Sequence, residues 1–253
     1  MKPTKLSKIF LISTIILFII LGASILVNII LFNRAKQYYW ELNQTRLDPI
    51  GLNKYPITSQ TTINPDTTRV VFFGDSRAAS WISPDVDQYE FINRGIGSQT
   101  STQTLQRFAA HINPLKPNII IVQIGVNDLK TIALFPQRKA SIIENCKSNI
   151  QQIVEASNQL GAVVILTTIF PVGEVPLERK LFWSEEVATA INEVNAYIST
   201  LATEKVIILD TFAILADNQG MVLSKYKTDE LHLNPEGYTA LNQELIKLLN
   251  SVQ

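Results

Sequence analysis

Residues 69–77 read RVVFFGDSR, a short apolar run followed by a glycine and three polar residues. The run Arg69–Phe73 is rich in β-branched and aromatic residues, which favours a strand that is buried on both faces. Gly74 ends the run, so the polar triplet that follows is predicted to lie at the carboxyl end of this strand. The stretch therefore predicts a buried strand with reactive side chains at its end.

Four further runs with strand character follow, and helical patterns separate them. The strand-like runs are Tyr89–Asn93, Asn118–Ile124, Ala162–Ile169 and Val206–Leu209. The helical patterns cover about residues 100–112, 137–160, 184–203 and 235–249. Buried strands that alternate with helices predict a parallel sheet covered by helices, that is, an α/β fold. In such sheets ligands bind outside the carboxyl ends of the strands.

Residue types suited to acyl transfer occur at these strand ends. Ser76 follows the first strand, Asn127 follows the third, and Asp229 and His232 precede the last helix. A serine hydroxyl needs a base, and an imidazole, which ordinarily titrates at about pH 6.5, can serve as one. Asp229 is spaced to accept the imidazole Nδ1–H and fix its tautomer. Asn127 and backbone N–H groups suit an oxyanion hole.

This constellation resembles the SGNH (GDSL-type) hydrolase family over residues from about 69 to 250. Three blocks carry the resemblance in the family's order: GDSR at 74–77, GVND at 125–128 and DELH at 229–232. The resemblance implies a three-layer α/β/α sandwich around a five-stranded parallel sheet of the flavodoxin-like type. It also implies that no metal or organic cofactor takes part.

The resemblance assigns a role to each of these residues. It implies that Ser76 is the nucleophile, that His232 is the base and that Asp229 is the acid that orients it. It implies an oxyanion hole formed by the backbone N–H of Ser76, the side-chain amide of Asn127 and one further backbone N–H. These roles remain expectations at the level of the sequence.

The block that supplies the further N–H departs from the family pattern. The family usually places a glycine after an N-x-G-I-x stretch, but the sequence from Asn93 reads NRGIGSQT. The expected glycine position falls on Ser98, and Gly97 comes one place earlier. Either residue can supply the second backbone donor.

Other polar residues near these blocks have simpler explanations. Asp75 and Asp128 are expected to bind backbone N–H groups in their own turns. Arg77 is expected either to hold a nearby carboxylate or to line the rim of the substrate site. His111 is expected to be packed or solvated, and Cys146 to be a small buried residue.

Two apolar segments follow strands and leave an alternative open. Residues 181–183 (LFW) come after the fourth strand, and residues 134–136 (LFP) come after the third. Each segment could form an apolar wall for an acyl group or could belong to the following helix.

The N-terminus predicts a membrane anchor. Residues 9–32 are 24 consecutive uncharged residues, enough at about 1.5 Å per residue to cross the roughly 30 Å core of a bilayer. A cleaved signal peptide is the alternative, but its apolar region usually has only about 7–15 residues. The chain is thus divided into a basic segment (1–8), an anchor (9–32), a juxtamembrane stalk (33–67) and a hydrolase domain (68–253).

The charges set the expected orientation and exclude some functions. Three lysines and no acid precede the anchor, which favours a cytoplasmic N-terminus and a periplasmic or extracellular domain. The rest of the chain is mildly acidic, so it does not indicate a nucleic-acid binder. One cysteine and two histidines exclude a disulfide framework and a metal site built on Cys or His clusters.

These features together predict a membrane-anchored serine esterase that hydrolyses carboxylic esters, with a small-molecule, glycan or lipid O-acyl ester as its partner. One alternative is an O-acyltransferase that uses the same residues and differs only in its acceptor. The other is a membrane-tethered binding protein that has lost its activity. The intact Ser76, Asn127, Asp229 and His232 argue against the second alternative.

Overall fold

The computed structural model describes residues 5–56 and 67–252, which fall into two compact units divided after Pro49. The first unit is a single long helix. The second contains a parallel sheet with helices on both of its faces.

The first unit is helix α1 (Lys5–Leu47), in which no described side chain is buried. Within the described ranges it is the one helix long and apolar enough to span a membrane, and it contains the predicted anchor, residues 9–32. The helix continues through Leu47, so the first part of the segment predicted as an irregular stalk is helical.

The second unit is built on five strands. They are β1 (Thr68–Gly74), β2 (Tyr89–Gly95), β3 (Ile119–Gln123), β4 (Val163–Thr167) and β5 (Val206–Leu209). Each strand pairs in parallel with its neighbour, in the order β2-β1-β3-β4-β5. The helices are α2 (Ser76–Ala79), α3 (Ser101–Gln106), α4 (Phe108–Ile112), α5 (Val126–Leu129), α6 (Lys139–Gln159), α7 (Glu186–Thr200), α8 (Thr211–Leu215) and α9 (Pro235–Ser251). The predicted five-stranded parallel α/β fold is confirmed.

Successive side chains of a strand point to opposite faces of the sheet, so the apolar core is divided between these two faces. In β1, Val71 and Phe73 pack in a cluster with α6 and α7, whereas Val70 and Phe72 pack in a second cluster with α9. Each long helix of this unit buries one apolar stripe, and a fully buried Leu or Ile contributes about 1.5–3 kcal/mol. The sheet is therefore a rigid middle layer of a three-layer sandwich.

The strand order determines where the site forms. β1 and β3 are neighbours in the sheet although β2 lies between them in the chain. The chain leaves β1 towards one edge and leaves β3 towards the other, and such a reversal opens a crevice at the carboxyl ends of the strands. Ser76 begins α2 directly after β1, and Asn127 lies in α5 after β3, so both residues reach this crevice.

The helix predicted over residues 100–112 is divided at Arg107 into α3 and α4. The Arg107 side chain turns inwards, and its guanidinium donates to the carbonyl oxygens of Gly74 and Arg94, each at 2.8 Å. These two contacts hold the ends of β1 and β2 together beside the crevice. The predicted amphipathic pattern does not reveal this break because Arg107 is neither a proline nor a glycine.

Residues 50–56, predicted as stalk, belong to the second unit and contact residues at and after the end of β2. Tyr55 donates to the carbonyl oxygen of Gly95 at 2.7 Å, and the Arg94 guanidinium lies 4.8 Å from the centre of the Tyr55 ring. The Gln99 side-chain amide donates to the carbonyl oxygen of Ile50 at 2.9 Å. The remainder of the predicted stalk up to residue 66 lies outside the described residues.

Candidate active site

Ser76 is placed by the sharp turn that ends β1. Gly74 must be a glycine here, because a Cβ at this position would lie 1.7 Å from the carbonyl oxygen of Gln123. Asp75 caps α2, and its Oδ1 accepts the backbone N–H of Arg77 at 2.8 Å. This turn presents Ser76 at the first position of a helix, where backbone N–H groups have no partner within the helix.

The structure brings Ser76, His232 and Asp229 together. Ser76 Oγ lies 3.0 Å from His232 Nε2, and His232 Nδ1 lies 2.8 Å from Asp229 Oδ2. A carboxylate only accepts hydrogen bonds, so it selects the tautomer with the proton on Nδ1 and leaves Nε2 free to accept from the serine. The geometry of the predicted triad is therefore present.

Asp229 is fixed by its own turn. Its Oδ1 accepts the backbone N–H groups of Leu231 and His232, each at 2.8 Å. Burial alone would raise the pKa of Asp229, but the hydrogen bonds from the His232 ring and from these two N–H groups outweigh it and lower the pKa. Asp229 is therefore ionised at neutral pH and able to stabilise an imidazolium.

Asn127 is buried, at 4% exposure, and its side-chain NH₂ donates to the carbonyl oxygen of Gln99 at 3.0 Å. This bond determines which way the amide points and leaves its second N–H available. Gln99 is itself held by the guanidinium of Arg107. Sequence reasoning missed Gln99 and Arg107, since nothing in their local sequence marks them.

The turn of Gly97 and Ser98 lies beside Ser76. A Cβ built on Gly97 would lie 3.9 Å from the Cβ of Ser76. Ser98 has a φ of 63°, which is the left-handed region that favours glycine. Both residues are exposed, and within the described part of the chain neither backbone N–H makes a hydrogen bond. Both N–H groups are therefore available to a ligand.

Asp128 and Cys146 are two buried residues near Asn127. Asp128 accepts the hydroxyl of Ser101 at 2.6 Å and its backbone N–H at 2.8 Å, which links α5 to the start of α3. Burial raises the pKa of Asp128. Burial also raises the pKa of Cys146 well above its ordinary value, so this thiol is not a second nucleophile.

Arg77 does not line a substrate rim, contrary to that expectation, because it is completely buried. Its guanidinium donates to the carbonyl oxygens of Leu231 at 2.8 Å and Phe170 at 3.2 Å. Within the described ranges it hydrogen-bonds no carboxylate. Burial lowers the pKa of Arg77 to about 10, so the guanidinium remains charged at neutral pH.

In the apolar segments after β3 and β4, every residue except the half-buried Trp183 is exposed. Leu181 and Phe182 are 88% and 64% exposed, and Leu134 is 56% exposed. Leu181 and Phe182 end a 3₁₀ helix over Leu177–Phe182 that precedes α7. Leu134 and Phe135 precede a 3₁₀ helix over Pro136–Arg138 that leads into α6. Trp183 packs against the apolar core. His111, outside the site, is packed at 3% exposure.

The side chains at the site do not suit a metal ion. Within residues 5–56 and 67–252, no group of three or more His, Cys, Asp or Glu side chains lies close enough to bind one. The arrangement is instead that of a nucleophile, a base, an orienting carboxylate and several N–H donors. Such a set can perform acyl transfer without a cofactor.

Known structures share this fold. A GDSL-like lipase of Bacteroides thetaiotaomicron VPI-5482 matches with a TM-score of 0.67 and 22% identity, over 81% of this chain and 99% of that one. Axe2, an acetylxylan esterase of Geobacillus stearothermophilus, matches with a TM-score of 0.56 and 15% identity, over 71% of this chain and 93% of that one. At these identities the likeness shows the fold alone.

The sequence itself places the chain in a family. It is 25% identical over 141 residues to the uncharacterized lipoprotein YqeF of Bacillus subtilis (strain 168); the match covers 49% of this chain and 57% of that protein, little more than half its length. The model of the GDSL-like Lipase/Acylhydrolase family matches residues 60–240, which include every block that carries the resemblance. The chain therefore belongs to the GDSL-like Lipase/Acylhydrolase family.

Proposed function

We propose that this protein is a serine esterase in which Ser76 is the nucleophile, His232 the general base and Asp229 the residue that orients the base. The observation that carries this proposal is the continuous chain of hydrogen bonds from Ser76 Oγ through the imidazole to Asp229, at 3.0 and 2.8 Å. An activated serine requires a hydroxyl, an imidazole and a carboxylate that are hydrogen-bonded in this order.

The reaction proceeds in two halves. Ser76 Oγ attacks the ester carbonyl carbon while His232 Nε2 takes the hydroxyl proton. The tetrahedral intermediate then breaks its bond to the leaving oxygen, which receives that proton and departs as an alcohol. Water attacks the resulting acyl-serine, gives its proton to His232, and the acid is released as Ser76 is protonated again.

The oxyanion is held by three N–H donors in this proposal: the backbone N–H of Ser76, the free N–H of the Asn127 amide, and the N–H of Gly97 or Ser98. Gly97 and Ser98 are candidates for the third donor because their turn lies beside Ser76 and, within the described residues, their N–H groups make no hydrogen bond. Preorganised donors of this kind typically contribute about 2.7–4 kcal/mol each to lowering the barrier.

The reacting centre is open enough to admit an ester of a bulky alcohol. The side chains of His232 and Asp229 are 39% and 40% exposed, and Gly97 and Ser98 are exposed as well, so the reacting centre is open to water and to a bulky partner. The match to an acetylxylan esterase supports an O-acylated sugar as the substrate class. The access of water favours hydrolysis over transfer to another acceptor.

Helix α1 is proposed to anchor the enzyme in a membrane. Its apolar run and the three lysines before that run support a cytoplasmic N-terminus and a catalytic domain outside the cytoplasm. O-acylated polysaccharide of the cell envelope is then within reach of the site.

The test uses the full chain in detergent micelles with p-nitrophenyl acetate, butyrate and octanoate. Hydrolysis is expected to be fastest for acetate, and Ser76→Ala is expected to lower kcat by several orders of magnitude. Ser80→Ala, one turn further along the chain, is the matched control and should keep the parent rate. A folded parent no faster than Ser76→Ala on all three esters would contradict the proposal.

A further inference from the structure

Arg77 is an unusual residue for its position. The family takes its name from the motif GDSL, but this chain has arginine where that motif has leucine. The side chain is completely buried; Asp75 and Asp229 supply negative charge nearby, and within the described residues its Nη2 makes no hydrogen bond. Burying a guanidinium is costly unless its donors are satisfied, so a charged residue here requires a compensating set of contacts.

Those contacts join two parts of the proposed triad. Arg77 follows Ser76 directly, and its Nε donates at 2.8 Å to the carbonyl oxygen of Leu231, the residue directly before His232. The same guanidinium donates to the carbonyl oxygen of Phe170 at 3.2 Å and lies 5.1 Å from the centre of that ring. One rigid side chain therefore connects the neighbour of the nucleophile with the neighbour of the base.

The backbone of Arg77 is fixed at the same time. Its N–H donates to Asp75 Oδ1 at 2.8 Å, and its carbonyl oxygen accepts the hydroxyl of Tyr238 at 2.9 Å. Tyr238 lies in the first turns of α9, just after His232 in the chain. Because both ends of the side chain are held, Arg77 acts as a spacer of fixed length and not as a flexible tether.

We propose that Arg77 is a positioning residue that sets the distance between Ser76 Oγ and His232 Nε2. This inference rests on the proposed esterase function. The loop of Asp229–His232 belongs to no helix or strand, although Glu230 within it is buried, accepts the backbone N–H of Gly173 at 2.8 Å and pairs with Arg179. Those contacts hold the loop from the side of β4, whereas the bond from Arg77 to Leu231 links it to the turn of Ser76 at the end of β1.

The expected effect is on the chemical step. A displacement of about 1 Å between reacting groups can cost on the order of 100-fold in rate. We expect Arg77→Met to lower kcat by about 10- to 100-fold and to leave KM within about twofold, because Arg77 is buried and does not touch the substrate. The single ammonium group of lysine can replace only one of the two bonds that the guanidinium makes to carbonyl oxygens. The kcat of Arg77→Lys should therefore lie between those of Arg77→Met and the parent.

Arg69 provides a matched control at the other end of the same strand. It is also buried, and its guanidinium donates to the carbonyl oxygen of Leu115 and to Glu90. Arg69→Met removes a buried guanidinium far from the carboxyl end of β1. It should lower the thermal midpoint at least as much as Arg77→Met does, while keeping the parent kcat.

A second readout does not depend on turnover. With ¹⁵N-labelled histidine in the full chain, the proton of His232 Nδ1 that bonds Asp229 should give a resonance far downfield, and the only other histidine is His111. We expect this resonance to broaden or shift in Arg77→Met and to remain unchanged in Arg69→Met.

The outcomes separate the two proposals. If the parent hydrolyses no ester, the esterase proposal fails, and the resonance alone still tests the inference about Arg77. An active parent with an unchanged resonance and an unchanged kcat in Arg77→Met would overturn the inference. Equal losses of kcat in Arg77→Met and Arg69→Met would overturn it too. If Arg77→Met does not fold, Arg77→Lys decides by the same two measurements.

Discussion

Asp229 holds His232 from two directions, since its Oδ2 lies 2.8 Å from the ring Nδ1 and its Oδ1 accepts the His232 backbone N–H at 2.8 Å. The side chain and the backbone of the base are thus fixed by one carboxylate three residues earlier. This double contact determines both the tautomer and the direction of the ring. The carboxylate of Asp229 is therefore expected to be needed, because both of its oxygens must accept a hydrogen bond from His232.

The first prediction concerns this contact. Asp229→Asn keeps the shape of the side chain but can present an NH₂ to Nδ1, which favours the wrong tautomer. By analogy with other serine triads we expect kcat to fall by about 10⁴-fold, measured with p-nitrophenyl acetate. Asp210→Asn is the control, because Asp210 caps helix α8 after β5 and lies outside the proposed triad. An Asp229→Asn enzyme within tenfold of the parent would argue that His232 is oriented by something else.

The second prediction concerns the oxyanion hole. Asn127→Ala removes the proposed donor, and we expect kcat to fall by about 100- to 1,000-fold with little change in KM. Asn195→Ala is the matched control: Asn195 is a buried asparagine that bonds both the N–H and the carbonyl oxygen of Ile169. It should lose stability and keep kcat. A change confined to KM in Asn127→Ala would show that Asn127 binds the substrate and does not stabilise the transition state.

The sequence predicted the parts of the site that follow strands. Ser76 and Asn127 were accessible in this way, because a parallel sheet gathers the carboxyl ends of its strands. Asp229 and His232 were accessible from their spacing just before the last helix. The burial of Arg77 was not, since its two carbonyl partners are 154 and 93 residues away in the chain. Gln99 was missed for the same reason: it orients Asn127 across a separation of 28 residues. Strand ends are local features, whereas such contacts exist only once the chain has folded.

The third prediction concerns Ser98, whose φ of 63° is strained for a residue with a Cβ. Ser98→Gly should raise the free energy of unfolding by a few tenths to about 1 kcal/mol. Ser98→Val should lower it by about 1–2 kcal/mol, because a β-branched residue is least tolerant of this conformation. Urea unfolding followed by tryptophan fluorescence measures both. Equal stability of the two variants would show that the turn does not require the left-handed conformation.

The last prediction concerns the pH dependence that Asp75 gives to stability. Burial raises the pKa of Asp75 from 3.8 to about 6 in the folded protein. The charge of Arg77 and the hydrogen bond from its backbone N–H lower the pKa but do not outweigh burial. Between these two values the folded state binds more protons than the unfolded state, so the contribution of Asp75 to stability falls as the pH rises. The shift corresponds to about 3 kcal/mol at most.

Asp75→Asn tests this dependence without removing the helix cap, because asparagine caps as well as aspartate. Relative to the parent, the variant should gain stability as the pH rises from 4 to 7, and the gain should be complete above about pH 7. Urea unfolding at pH 4, 5, 6 and 7 measures the difference. Asp217→Asn is the control: the half-buried carboxylate of Asp217 accepts the N–H groups of Gln219 and Met221, and this variant should show no such gain. A difference between Asp75→Asn and the parent that is constant over this range would mean that Asp75 is ionised throughout, held by Arg77 more strongly than burial opposes it.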